Sequence, residues 1–557
     1  MPVPARRSPL PCTFTLLAML AGVAAAGTAV AGPAPGGAQR GAPASVLPLD
    51  GARSVQRLVQ PRLRFDSARG ALDALHAGVE LLGPLGIPVG LVRRVSGDTL
   101  RLEPALPLAD CTRYTLRLRG RASSAWHSRF RTACSRWSEP LQIDDRRSAR
   151  RPGRGAREVQ LASAAGGDVL AAWFQSDGRR SAIEASRYVA DTDSWQAPRA
   201  IDLPHAGGST LPALVTLADG RVLAAWVQQL HGHAELLARV LGGADAGAPK
   251  RLDAPGLRAG PGTVQLAADA AGHAVAVWQQ PDARHTAVWA AYWNGRRWSR
   301  ARELDTAAPP DYAPVVAGAG DDLFVAAWER GRDGHERVAA SRWLGRAWSA
   351  PRRLSARGAH ARRPLLALDA AGRVGAAWIQ GDGDARRIAL RRMQLRPWRG
   401  AAARTAHAPG LRAATVAAAI AFDPAGNLAL AWEQQARAGS PDVIEAARWM
   451  RGAAAPQPGT RIDPAGQRSA GNPVLVSDPA GNLVCAWYQD TTQGLQVLAA
   501  RFDAARAQWQ PAQLLSDPRG TVQASFPALT VDAAGSVSAA WQQFNGWRNV
   551  IVASRLR

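Results

Sequence analysis

Glu329 and Glu433 each stand directly after a tryptophan. Paired carboxyls are what glycosidic-bond cleavage requires, one to protonate the leaving oxygen and one to attack or to activate water. Whether these two converge is left to the tertiary fold. His231 and His233 offer two imidazoles to a metal, but no third ligand is evident in the sequence, and a solvated loop is the simpler account. No Cys/His nucleophile pair, phosphate-cradling glycine loop or metal-ligand quartet occurs, so no cofactor is implied.

Glutamine recurs two residues after tryptophan at Gln175, Gln228, Gln280, Gln380, Gln434, Gln489 and Gln543, with Arg330 in that place once. Such amides could bind a ligand, or they could satisfy main-chain groups where a strand leaves a sheet. Their presence in nearly every copy favours the structural role. Residues 146–157 (RRSARRPGRGAR) hold six arginines, which could dock an acidic partner or simply form a solvated loop.

These residues are embedded in a repeat. A small-small-Trp signal recurs at Trp173, Trp226, Trp278, Trp328, Trp378, Trp432, Trp487 and Trp541. A period of about fifty residues marks a solenoid, propeller or array. Each copy opens with a short apolar strand and a turn such as Asp423-Pro-Ala-Gly426, whose Asp and Gly suit a type I turn leading into a hairpin. A strand apolar on both faces follows and carries the Trp. After a variable polar loop comes a third strand with Ala-Ser-Arg or a relative. A fourth carries Trp with Pro three residues on, as in Trp195-Gln-Ala-Pro198. Four antiparallel strands per copy, without helical periodicity, describe a propeller blade. The first such Trp strand, 137–143 (WSEPLQI), precedes any complete copy, and the last copy stops after its third strand, 550–556 (VIVASRL). The expectation is that 137–143 completes the last blade and closes the ring. The variable loops, and those entering each blade, are where a binding site is expected.

The array resembles the sialidase-like and lectin-like propellers of bacteria. That resemblance implies a site of a Tyr–Glu nucleophile pair, an acidic Asp and an arginine cluster. The family's Ser/Thr-x-Asp-x-Gly-x-x-Trp box is absent in that form, as Asp369, Gly372 and Trp378 illustrate. Of only five tyrosines, Tyr114 lies before the repeats, Tyr188 and Tyr292 lie in third strands, Tyr488 follows a core Trp and Tyr312 is loosely placed. No catalytic residue is carried over.

Before the repeats, RLRF (62–65), TLRL (99–102), YTLRL (114–118) and SRFR (128–131) alternate as half-buried strands do. With PLDGARSV (48–55), they resemble the bacterial Ig-like domain of S-layer and other envelope proteins, which implies a spacer or adhesion module. If 112–119 and 126–133 pair as a hairpin, Cys111 and Cys134 fall opposite one another, within reach of a disulfide; two free thiols are the alternative. Cys485 reads as an inert core thiol.

At the N-terminus, Arg6 and Arg7, an apolar run over 13–27 and Ala29-Val30-Ala31 have the form of a secretory signal peptide. The net charge is +24, carried almost wholly by arginine, since Lys250 is the only lysine. That charge would attract anionic glycans or lipid head groups. Scattered arginines without a known module argue against specific nucleic-acid binding. The expected organisation is all-β: signal peptide 1–31, flexible leader 32–46, Ig-like β-sandwich 47–135, and a closed eight-bladed β-propeller 136–557 of four-stranded blades. The expected role is that of an exported, periplasmic or extracellular, monomeric binding or scaffold protein. It would recognise carbohydrate, anionic glycan or an envelope protein, without a transmembrane segment in the mature chain. The alternative is a divergent glycoside-active enzyme. Intact mass of the exported protein should begin at Gly32 and fall by two hydrogens for the Cys111–Cys134 bridge; alkylation of both thiols without reductant would contradict the bridge.

Overall fold

The computed structural model describes residues 42–556 apart from short segments, the longest being 119–125, 145–154, 254–260 and 407–417. Cys111, Cys134 and most of the arginine-rich stretch 146–157 lie outside the described residues.

In the N-terminal part, alternating residues send one face of each strand inward. Ser45–Leu47, Arg62–Arg64, Thr99–Pro104 and Leu91–Ser96 form one sheet. Ala52–Val55, His127–Thr132, Arg113–Leu118 and Val79–Leu82 form another. Leu63, Leu100, Leu102, Leu81, Leu116 and Phe130 share one core. The hairpin Arg113–Leu118 with His127–Thr132 has the expected pairing, Arg113 opposite Arg131.

Two features differ from the sequence reading. Ser45 and Val46, assigned to the leader by composition, pair with Arg64 and Leu63. A helix, Ala68–Ala77, also stands where only strands were expected. Ser67 caps it by accepting from the Gly70 N–H, Ala71 and Ala74 face the core, and Gly78 at φ 89° ends it. Among the described residues no helix is long and apolar enough to cross a membrane.

From residue 156 onward, strands pair in sequence order within each repeat. In the first, Ala156–Ser163 pairs with Val169–Ser176, which pairs with Ser181–Val189. The fourth strand is broken into short pieces, Ser194–Trp195 and Arg199–Ala200, around Pro198. Proline has no N–H to give the ladder, so a fourth strand carrying Trp-x-x-Pro cannot pair continuously.

The expected turns are present. Gly372, Gly426, Gly481 and Gly535 each donate N–H to the carbonyl of the aspartate three residues earlier, at 2.9–3.0 Å. The aspartate side chain caps the same turn: Asp423 Oδ1 accepts from Asn427 N at 2.8 Å. Its other oxygen accepts from Arg448 of the third strand at 2.7 Å, and Asp168 and Arg187 repeat the pair at 2.6 Å. In these repeats the third-strand arginine holds the first turn.

All eight tryptophans are fully buried, and each packs into the preceding repeat. Trp226 meets Ala172, Trp278 meets Ala225, Trp378 meets Ala327, and Trp432 meets Ala377. Trp487 meets Ala431 and Trp541 meets Ala486. The residue before each of these tryptophans is small because the next indole occupies its space; Val277, against Trp328, is the exception. Trp173 of the first repeat packs against Ala540, Ile551 and Ala553 of the last. Likewise, the first strand Ala156–Ser163 lies against Val522–Val531, with Ser163 N–H donating to Thr530 Oγ1 at 3.1 Å.

Segment 137–143 pairs with the last strand as expected. Gln142 lies opposite Val552, Leu141 opposite Ala553 and Trp137 opposite Leu556. Ser138 N–H donates to Arg555 O at 2.8 Å and Ile143 N–H to Ile551 O at 2.9 Å. Asp144 forms a 2.6 Å ion pair with Arg548, both side chains almost wholly buried. Burial pushes the Asp144 carboxyl up and Arg548 pulls it down. Breaking a buried pair leaves an uncompensated charge. Arg548→Met should therefore cost about 3–5 kcal/mol in urea unfolding, with part recovered by adding Asp144→Asn. A loss near zero would show that the pair does not secure this seam.

Candidate functional site

The first strands of six repeats share an irregularity. The pairing of first and second strands slips between Arg157 and Gln160, Thr210 and Ala213, Tyr312 and Val315, Arg362 and Leu365, Gly471 and Val474, and Ser525 and Ala528. At five of these bulges a non-glycine residue is left-handed: Glu158, Ala313, Arg363, Asn472 and Phe526, with φ from 45° to 57°. Such conformations cost roughly 1–3 kcal/mol each and persist only where neighbours impose them. The residue after the core Trp supplies one such constraint. Gln279 accepts from Ala313 N at 3.1 Å, Glu329 from Arg363 N at 2.7 Å and Glu433 from Asn472 N at 3.3 Å. The two carboxylates singled out by sequence thus each hold the bulge of the following repeat, and no hydrogen bond joins them.

Bulges from several repeats border one cavity of about 580 Å³. Its lining includes Arg157, Glu158, Asn472, Phe526, Gln542 and Asn549. Phe526 is 55% exposed. Amides, one carboxylate, one guanidinium and an open aromatic ring can hydrogen-bond hydroxyls and stack on an apolar face. The bulge residues escaped sequence reasoning, although the recurring X-Pro after them (Ala313-Pro314, Arg363-Pro364, Asn472-Pro473, Phe526-Pro527) was a visible signal.

Beside this cavity, Tyr488 and Glu433 come together around Gly471, where an added Cβ would meet Tyr488 Oη at 2.5 Å and Glu433 Oε2 at 2.7 Å. Burial pushes Glu433 up to about 7, opposed by the Asn472 N–H and reinforced by Asp442. Burial also raises Tyr488, with the charges of Glu433 and Asp442 adding to it. Glu433 is only 6% exposed.

The glutamines have an internal task. The indole N–H of each preceding tryptophan donates to the glutamine Oε1, from Trp226–Gln228 at 3.3 Å to Trp432–Gln434 at 2.8 Å, in all seven copies. Gln228 and Gln489 also donate to the entering segments, at Leu203 O and Arg468 O. In the exceptional fourth repeat, Arg330 pairs with Asp305 at 2.6 Å beside the fully buried Asp311. Burial and the charge of Asp305 push Asp311 up to about 8, against the pull of Arg330.

His231 and Gly232 form the tight link between second and third strands, both at positive φ, and His233 Nε2 pairs with Glu235 at 3.1 Å. The His-Gly-His spacing is a turn. Among the described residues, Asp269, His273 and Asp321 lie close enough to share a metal. However, Asp269 already accepts from Ala271 N, His273 N and Asp322 N and faces His273 Nδ1, which are turn contacts. Cys485 is fully buried, and burial pushes its thiol far above the usual range.

No protein-family model and no curated protein matches this sequence. Similar solved structures include a protein of unknown function from Dyadobacter fermentans, 13% identical, covering 76% of this chain and 99% of its own, with a TM-score of 0.40. An ulvan lyase bound to an oligosaccharide is 10% identical, with coverages of 73% and 94% and a TM-score of 0.45. An α-L-arabinanase of Penicillium chrysogenum is 11% identical, with coverages of 67% and 100% and a TM-score of 0.38. The likeness is weak in both measures.

In the fold Asp311 keeps its proton to about pH 8, whereas an unfolded aspartate releases it near 4. The native state holds the extra proton in between, so its stability falls as pH rises through that window. Glu433 acts in the same direction. Asp311→Asn should raise Tm at pH 8 by a few degrees and flatten the change in Tm between pH 5 and 8. An unaltered slope would mean that Asp311 is already ionised in the fold.

Proposed function

We propose that this chain is an exported, non-catalytic carbohydrate-binding protein of the cell envelope: an Ig-like module over 47–135, then a closed eight-bladed β-propeller whose mouth takes the ligand. Export rests on the form of residues 1–31. Closure is supported by the pairing of 137–143 with the last strand and by Trp173 packing into the last repeat. The Cys111–Cys134 bridge is part of the same reading.

One observation carries the binding assignment. At the mouth, amides and an exposed Phe526 face the cavity, while Glu329 and Glu433 are engaged in holding main-chain bulges. That combination suits sugar hydroxyls and the apolar face of a pyranose ring. It lacks a pair of accessible carboxyls across a gap. A second reading, a divergent glycoside-active enzyme, is favoured by one contact, the convergence of Tyr488 and Glu433 around Gly471.

The purified protein should bind neutral glycans on an array without turning over chromogenic glycosides. Phe526→Ala should weaken the best ligand roughly tenfold, a loss of about 1.4 kcal/mol. Glycoside hydrolysis that Tyr488→Phe abolishes would overturn the binding reading in favour of the enzyme.

A further inference from the structure

A second cavity, of about 1170 Å³, opens between the second and third repeats. One wall comes from the third and fourth strands of repeat two and includes Lys250. The other is the turn after the third strand of repeat three, and it presents Arg296, Arg297, Trp298 and Arg300. None of the mouth residues named above borders it.

The charges are unbalanced there. Arg221 is paired with Asp219 at 2.6 Å, and Arg251 with Glu235 and Asp253 at 2.9 and 2.7 Å. Lys250, Arg296, Arg297 and Arg300 are exposed, and among the described residues none of them has an ion pair. Four such cations repel one another, and an anion in the cavity removes that cost.

The aromatic wall supplies an independent sign. Trp293 and Trp298 stand 5.6 Å apart, their rings tilted by 55°. Trp293 is 8% exposed, and among the described residues its indole N–H has no acceptor. The polar counterparts in three other repeats have one: Trp343 donates to Asp322 at 2.8 Å, Trp449 to Ala453 O at 2.9 Å, and Tyr188 to Asp193 at 2.7 Å. Repeat three has thus lost an internal partner where the wall of this cavity forms. Trp298 is half-buried and leaves part of its ring open to the cavity.

We infer that this cleft binds an anionic oligosaccharide, with carboxylate or sulfate groups held by Lys250, Arg296, Arg297 and Arg300 and a sugar ring against Trp298. Guanidinium forks match both anions in a bidentate way. The volume exceeds the roughly 300–1,000 Å³ typical of small-ligand pockets, which suits several linked sugars better than one small anion. A single-stranded nucleic acid would call for a longer basic track with successive stacking rings. Here the cations cluster at one turn, with one partly open ring.

The test uses calorimetric titration of the purified protein with oligogalacturonate, a heparin-derived oligosaccharide, maltohexaose and a single-stranded oligodeoxynucleotide. Oligogalacturonate or the heparin fragment should bind; because the heparin fragment carries carboxylates as well as sulfates, binding of it alone means that sulfate is required, and maltohexaose should not compete. Arg296→Gln with Arg300→Gln should weaken that binding at least tenfold. Arg101→Gln with Arg113→Gln, an equal loss of charge on the N-terminal strands, should leave it unchanged. Trp298→Ala should weaken binding and reduce the tryptophan fluorescence change on titration. Equal weakening by both charge pairs, or stronger binding of the oligodeoxynucleotide, would overturn the inference, as would no binding of either anionic glycan. Failure here is distinguishable from failure at the mouth, which is read with neutral glycans and Phe526→Ala.

Discussion

The structure depends on one packing relation: an indole from each repeat fills the space left by a small residue in the repeat before it. Alanine before the tryptophan is the receiving site in seven of the eight contacts. Each buried Trp removes a large apolar surface from water, and in seven of the eight its single polar atom is satisfied by a glutamine two residues on, in the same strand. A repeat cannot bury its own tryptophan. It needs a predecessor, and the first repeat finds one in the last, through Trp173 against Ala540.

Charge serves the same geometry. The aspartate that starts a hairpin turn is anchored by its own turn amides and, at Asp423 and Asp532, by an arginine of the third strand. Some of these arginines also reach across to the next repeat. Arg448 lies 4.5 Å from the Phe502 ring centre, and Arg555 of the last repeat lies 4.7 Å from Tyr188 of the first. Arginines built into turns and seams thus differ from those at the turn from Arg296 to Arg300, which are exposed.

Chemical variety collects where the repeat is least regular. The left-handed bulges at Glu158, Asn472 and Phe526 turn side chains of different types toward one cavity, while the glutamines and tryptophans around them are alike. Repeat three departs from its neighbours by lacking an acceptor for Trp293, and repeat four by placing Arg330, Asp305 and Asp311 where others have a glutamine amide. Uniform positions carry the packing, and departures from uniformity vary the side-chain chemistry.

The repeat period, the order of strands, the Asp…Gly turns and the pairing of 137–143 with the last strand were all legible in the residues. Each is local or depends on a pattern counted along the chain. The helix Ala68–Ala77 was also written there, in Ser67, the spacing of Ala71, Ala74 and Leu75, and Gly78, but its small residues gave a faint apolar stripe. What Glu329 and Glu433 do, and which side chains meet at either cavity, was decided only in three dimensions. A carboxylate placed against a left-handed amide in the next repeat and one open to a substrate have the same letter and the same neighbours in sequence. They differ in what the following repeat brings against them, and that contact exists only once the sheets have packed.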